Sequence, residues 1–551
     1  MKRDIAKLAR TDYDLLVVGC GMHGAALARE AALSGLTVAV VDRADFCSAT
    51  SANSLKVIHG GLRYLQQVDL GRLRDSVRER RFFLKAAPHL VDVLPCAMPT
   101  YGHAMKGREA LFCGLLLNDL LSWDRNCGVS PARRIPRGRV VSRAGWLRLA
   151  PDLDAPRYTG AALWADAIAY NTERLALAMV QAAVESGADA ANYVEVTGFQ
   201  RQGRDVVGVE ARDRMGGQTI AIRARVTINC TGPWTQDTLS LLGDRATCPA
   251  FRNALALNVV LCRQLHPTHA IGLTARARGG LKGSRLLFFV PWRGRTVVGT
   301  YYRYYDGSPA SLTVTREDLD AFLADLNDAH PRAGIRREDV TFIHAGLLPA
   351  AGLNAAGEPA VLGHYRIVDH AQADGIGGIL TVLGVKYTTA RDVVRRALAM
   401  AARTLGHPVT RRASDRQALP GGDVPDVAAL IREAASTGLE PECAAHLVRS
   451  YGRGYTEVLD LARADRELLK PVTPSAAVIG AEIVHAARAE MAQTLADAVL
   501  RRTDLGTAER PDDAALQACV ELMARELGWD RDRVAQELLA TKAIHNWTPP
   551  V

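Results

Sequence analysis

Lys56, His59, Arg63 and Tyr64 crowd around the glycine pair Gly60-Gly61 in the stretch SANSLKVIHGGLRYLQQ, residues 51–67. An imidazole titrates near neutrality and can take a proton from a hydroxyl. An arginine or a lysine can steady the negative charge that remains. Paired glycines let a main chain lie against something flat and large. A second polar group stands in GVKYTTAR, 384–391, where Lys386 follows an apolar run and is flanked by Gly384, Thr388 and Thr389. A third candidate, His344, opens HAGLLPA. These types supply a base, either His59 or His344, and cations, Arg63 and Lys386, for chemistry that leaves a negative charge, with Tyr64 beside them. No Ser-His-Asp hydrolase motif, P-loop or HExxH is present. The ten cysteines form no CxxC and no zinc spacing with histidine, so no metal site is expected and a reducing compartment fits.

The elements that must position such groups begin at residues 14–42, DLLVVGCGMHGAALAREAALSGLTVAVVD. An apolar, β-branched run predicts a buried parallel strand, and the Ala-rich stretch after it predicts a helix. A second apolar run closes on Asp42. Between strand and helix lies Gly19-Cys20-Gly21-Met22-His23-Gly24. Gly19 suits a tight turn, Gly21 a close approach to pyrophosphate, and Gly24 close helix–strand packing. The helix N-terminus would face the phosphates, and Asp42 a ribose. Strand, turn, helix, strand and acid together predict a dinucleotide site.

HGGLRYL at 59–65 resembles a segment of the FAD-dependent glycerol-3-phosphate dehydrogenase family, a branch of the D-amino-acid oxidase-like flavoproteins. INCTGPWT (228–235), FFVPWRGRTVVGT (288–300), GVKYTTAR, LPGGD (419–423) and the stretch 482–506 resemble later elements of that family, in order over nearly the whole chain. The resemblance implies an α/β fold: a Rossmann-type FAD-binding domain (11–80, 155–250 and 355–410) interleaved with a mixed-sheet substrate domain (81–154 and 251–354), plus an all-α C-terminal domain (411–551). It implies FAD as cofactor, contacted by Gly19, Gly21, Gly24, Asp42, Thr50, Ser51, Lys56, Gly60, Gly61, Thr231, Gly232, Gly384, Thr388 and Thr389. The implied activity is oxidation of a secondary alcohol, a small polyol or polyol phosphate, by hydride transfer to flavin N5. Quinone or oxygen would take the electrons.

Departures from the family lie on the phosphate side. The family's Gly-x-Arg-Pro element reads Gly346-Leu347-Leu348-Pro349, and its TRD arginine aligns with His364, with Arg366 two residues on. Tyr301-Tyr302 replaces Thr-Asp after the hairpin. Charge-assisted hydrogen bonds contribute roughly 1.5–3 kcal/mol each, so losing two arginines removes about 3–6 kcal/mol unless Arg303, Arg366 or Lys282 substitutes. Three readings follow: a glycerol-3-phosphate dehydrogenase, a flavin oxidase or dehydrogenase of an unphosphorylated alcohol or amine, or, from the basic pI alone, an FAD-containing RNA-modifying or RNA-binding protein.

At 551 residues, 48% hydrophobic and 23% charged, the chain reads as a multidomain globular protein. Its net charge of +9 is spread among interleaved acids, so no nucleic-acid partner is expected. The run LFCGLLLNDLL, 111–121, is too short to cross a bilayer. It predicts a buried helix, with peripheral contact on the inner face of a membrane as the other reading of an otherwise cytoplasmic protein. A homodimer is among the assemblies considered. Ile483, Ala487, Met491, Leu495 and Val499 recur every four residues and predict one helix, with Glu482, Arg488, Glu490, Arg501 and Arg502 off its apolar face. Two apolar strands around Arg293-Gly294-Arg295 predict a hairpin.

Overall fold

A run of apolar residues without alternation needs cover on both faces, and Asp12–Val18 has it at the centre of an eight-stranded sheet. Val38–Val41 and Thr219–Asn229 flank it in parallel register, and Ile379–Leu383 and Asp189–Ala191 extend the parallel set. Helices Met22–Ala32, Thr172–Glu185 and Ala390–Leu405 bury their apolar faces in the same core as these strands. The parallel strands end together, so the turns after Val18, Val41, Asn229 and Leu383 share one edge. That edge is where open α/β sheets hold ligands. These features come from a computed structural model, which describes the chain except 104–106, 154, 156–157, 244–245, 247–249, 277–283, 410–412 and 546–551.

A ten-stranded sheet stands beside the first. Its main path runs Pro359–Val361, Val340–Leu353, Arg252–Leu261, Arg295–Tyr304, Ser284–Trp292, Ala270–Arg276, Val91–Tyr101, Tyr158–Ala169 and Val57–Ile58. The expected hairpin is here: Trp292 pairs with Arg295 across Arg293-Gly294, whose φ values are 50° and 72°. Two positive φ values are what a type I′ turn requires. Three strands depart from the sequence-based partition. Val57–Ile58, Tyr158–Ala169 and Pro359–Val361 lie in segments expected in the FAD unit, yet they pair in the second sheet. Tyr158–Ala169 has a long antiparallel partner in Val91–Tyr101, which no local pattern announces.

The C-terminal segment is helical around a core of its own, from Val424 to Met523. The single helix expected through Val499 is broken. Gly480–Ala489 stops, and a short helix Leu495–Asp497 runs into a π-turn at Ala498–Arg502. The break follows from charge. Glu490 is fully buried and accepts both oxygens' hydrogen bonds from Arg174, at 2.9 and 2.7 Å, while Arg502 grips Asp45 bidentately at 2.7 Å. Charges expected off the apolar face of that helix therefore turn inward and dock the domain on the FAD-binding core. Arg108–Leu121 departs in the opposite sense: of its residues only Leu115 is buried.

Candidate active site

The first glycine loop is built as its spacing implies. A Cβ on Gly24 would come within 1.9 Å of the Gly19 carbonyl oxygen, so only glycine lets the helix start this close to the strand. Gly19 has φ +92°, and a Cβ there would strike Cys230 and Thr231 at 2.8 Å. Gly21 precedes a helix whose N-terminus has no side-chain cap. Ser51 Oγ accepts from Met22 N at 2.9 Å. Asp42 accepts from Cys20 N at 2.6 Å and Ala44 N at 3.0 Å, and burial raises its carboxyl to about 6. The acid thus pins the loop in addition to any ribose contact. Opposite, Thr231 and Gly232 follow Asn229, whose Oδ1 accepts from Thr231 N and Oγ1.

Among the described residues, buried Asn229 Nδ2, Trp234 Nε1 and His23 Nε2 at this edge have no protein partner. Buried polar atoms without partners at the ends of parallel strands are what a polar dinucleotide would satisfy. The residues present therefore fit FAD.

The polar cluster after the loop is organised by an acid that sequence reading missed, Asp166. It accepts from Arg80 Nη1 at 2.9 Å and Trp164 Nε1 at 3.2 Å, and from the Gly60 N–H. His59 Nδ1 faces it at 3.8 Å. Burial pushes the Asp166 carboxyl up, but the hydrogen bond to His59, the Arg80 charge and the Gly60 N–H outweigh burial and hold it at about 2. The available signal was an acid inside the apolar strand ALWADAIA, since a buried carboxylate is rarely unpaired. The glycine pair also has a different reason from the one expected. A Cβ on Gly60 would meet Arg80 Nη1 at 2.0 Å, and one on Gly61 would meet Ser76 Cβ at 2.9 Å. The absent side chains make room for the Leu70–Ala86 helix and its arginine.

His59 stays exposed, and its N–H donates to Thr388 Oγ1 at 3.2 Å, joining HGGLRYL to GVKYTTAR. Tyr64 is buried, its hydroxyl in contact with Lys386 Nζ, which also lies 4.2 Å from the ring centroid. Arg72, another residue not singled out in the sequence, covers the same ring at 4.5 Å. Tyr64, Arg72, His364, Lys386 and Thr389 line one cleft, and exposed Arg63 acts electrostatically on both Tyr64 and Lys386. Asp75 and Asp392 also line it, and His59, with Asp166 behind it, joins its wall through Thr388, the neighbour of Thr389. Gly384 touches His23, whose ring would meet a Cβ there at 2.2 Å.

Several expected residues serve elsewhere. Lys56 is fully buried, and its ammonium donates to Glu173 Oε1 at 2.8 Å, Ala52 O at 2.8 Å and Thr172 Oγ1 at 3.0 Å, so it faces the interior and not a flavin. Thr50 Oγ1 is engaged by the main chain of Leu347 at 2.9 and 3.1 Å. His344 is buried between Trp292 and Phe342, and burial holds it well below its ordinary pKa, a poor setting for a base. Arg303 is committed to Asp318 at 2.7 Å and cannot replace a lost phosphate arginine. Lys282 lies outside the described residues.

Residues 14–391 match the FAD dependent oxidoreductase family, and 413–534 match the C-terminal domain of alpha-glycerophosphate oxidase. The chain is 28% identical to a glycerol-3-phosphate dehydrogenase of Synechocystis sp., over 97% of each chain. It is 30% identical to glycerol-3-phosphate dehydrogenase 2 of Mycobacterium tuberculosis, over 97% of this chain and 88% of the relative. Its fold is similar to that of the glycerol-3-phosphate dehydrogenase of Bacillus halodurans, with TM-score 0.77, 23% identity, and coverage of 98% and 96%. The chain belongs to the FAD-dependent oxidoreductases and, within them, to the glycerol-3-phosphate dehydrogenase family.

Burial, with Arg72 and Arg63 nearby, lowers Lys386 to about 8. Its ammonium form, which holds an anion, is present below that value and lost above it. KM for an anionic substrate is expected to climb above pH 8 in the wild type and to be high and level in Lys386→Met. Steady-state kinetics across that range checks this, and a wild-type KM unchanged through about pH 9 would count against it.

Proposed function

We propose that this chain oxidises glycerol 3-phosphate to dihydroxyacetone phosphate. The observation that carries the reading is the His59–Asp166 pair, joined through Thr388 to the segment of Lys386, whose cleft holds Arg72 and feels the charge of Arg63. Bound FAD supplies the hydride acceptor at N5. Asp166, fixed by Arg80, orients His59 through Nδ1 and leaves Nε2 to take the hydroxyl proton of the substrate. Lys386 and Arg63 steady the oxygen as it loses that proton, and Tyr64 holds Lys386 in place. Arg72 and His364 stand on the phosphate side, where both face Asp69, and Arg72 would turn from Asp69 and Gly363 to offset the arginine that Leu348 replaces. The names of the relatives support this substrate over an unphosphorylated alcohol or amine. FAD lies along Gly19, Gly21, Gly24, Ser51, Thr231, Gly232, Gly384, Thr388 and Thr389.

The electron acceptor in this reading is a membrane quinone. No helix among the described residues is long and apolar enough to cross a membrane. Yet Phe112, Leu116, Leu117 and Leu120 of the Arg108–Leu121 helix are exposed, with Trp123 76% and Val68 80% exposed. The 3₁₀ turn Leu62–Gln67, which carries Arg63 and Tyr64, leads directly into Val68. An apolar patch this close to the cleft suits a protein that rests on a bilayer and draws its acceptor from it.

Anaerobic mixing of the yellow holoprotein with glycerol 3-phosphate is expected to bleach the flavin with saturation, and glycerol alone is expected to do so at least about 100-fold less efficiently, the equivalent of roughly 3 kcal/mol of phosphate recognition. Equal rates with both would refute the assignment of substrate. Flotation with liposomes is expected to carry wild type upward and to leave Phe112→Ser/Leu120→Ser behind with its flavin intact. Equal flotation of the two proteins would dismiss the membrane patch.

A further inference from the structure

Asp152, His266 and His330 are far apart in sequence, yet each brings one ligand atom to within 4.8 Å of the others. Each comes from a different chain reversal. Asp152 follows the helix Arg143–Leu149, His266 follows the strand Arg252–Leu261, and His330 caps the helix Arg316–Ala329. Both histidines are more than nine-tenths buried, at 4% and 1% exposure, and their rings stack at 5.4 Å and 17°. Phe289 closes one side, edge-on to His330 at 5.6 Å. Among the described residues His266 Nε2 and His330 Nδ1 lack a hydrogen-bond partner, and His330 Nε2 faces Asp152 Oδ2 at 3.0 Å. Arg263, the cation that acts on His330, is itself paired with Asp339 at 3.5 Å.

Buried imidazole nitrogens without partners are costly. Two imidazoles converging on a carboxylate, with His266 Nε2 unpartnered, form a ligand set for a divalent cation. Zinc bonds of roughly 2.0–2.1 Å place neighbouring ligand atoms about 3–3.5 Å apart, close to the His330–Asp152 separation. Imidazole with carboxylate suits a borderline divalent cation better than calcium or magnesium. We propose that Asp152, His266 and His330 bind a divalent transition metal, zinc being the first to test, with a water at the fourth position on the exposed side of Asp152. None of the three lines the Tyr64–Lys386 cleft, so the metal ties together loops of the substrate-side sheet and takes no part in hydride transfer.

The test uses the FAD-loaded full chain, stripped with EDTA and titrated with zinc chloride by calorimetry, then with cobalt chloride for the visible bands of a coordinated ion. Wild type is expected to take up one equivalent and to melt at higher temperature with zinc. Asp152→Asn and His266→Gln are expected to bind at least about tenfold more weakly, with flavin content and flavin reduction unchanged. No stoichiometric uptake by wild type would overturn the proposal. So would uptake by both variants equal to wild type, which would place the metal elsewhere, for instance on the exposed thiols Cys113, Cys127 and Cys262.

Discussion

Asp166 is a buried carboxylate on which three separate parts of the chain converge. It lies on Tyr158–Ala169, receives Arg80 from the Leu70–Ala86 helix, and takes the N–H of Gly60 from the loop that bears His59. Each partner needs the others. Arg80 occupies the space where a Gly60 side chain would stand, and without Asp166 its guanidinium would be buried and uncompensated. Removing one member of such a pair costs about 3–5 kcal/mol, far more than a surface ion pair contributes. The position of His59 is therefore set by a constraint that is expensive to relax.

The same loop is held from its other end. Asp45 is clamped by Arg501 and Arg502 of the C-terminal domain, and Lys56 by Glu173. Between these anchors lie Thr50, tied to Leu347, and Ser51, tied to Met22. Among the described residues the C-terminal domain contributes no group to the cleft, yet it fixes the segment that leads from the nucleotide loop to His59. Arg174, paired with Glu490, adds a second attachment. The helices after residue 424 act as a brace whose effect on chemistry is transmitted through Asp45.

What could be read from the sequence was local. The strand–turn–helix–strand unit ending at Asp42 and the Arg293-Gly294 hairpin follow from apolar runs and glycine, which act over a few residues. The FAD-type fold and the gathering of His59, Tyr64 and Lys386 followed from the family resemblance. Long-range charge pairing was invisible. Lys56 looked like a site residue because nothing nearby reveals Glu173, more than a hundred residues later. Glu490 and Arg502 read only as lying off an apolar face, because spacing cannot show that Arg174 and Asp45 await them. The Arg108–Leu121 helix looked buried because apolar composition reports burial only when another surface covers it.

The central claim is that Asp166 and His59 work as one proton-accepting unit. The most direct test is a double-mutant cycle on kcat with Asp166→Asn, His59→Gln and the double variant, flavin content measured in each. Both single variants should retain FAD and lose about 100-fold or more in kcat, and the double variant should be scarcely slower than either. Losses that multiply in the double variant, or an Asp166→Asn protein that turns over at the wild-type rate, would contradict it.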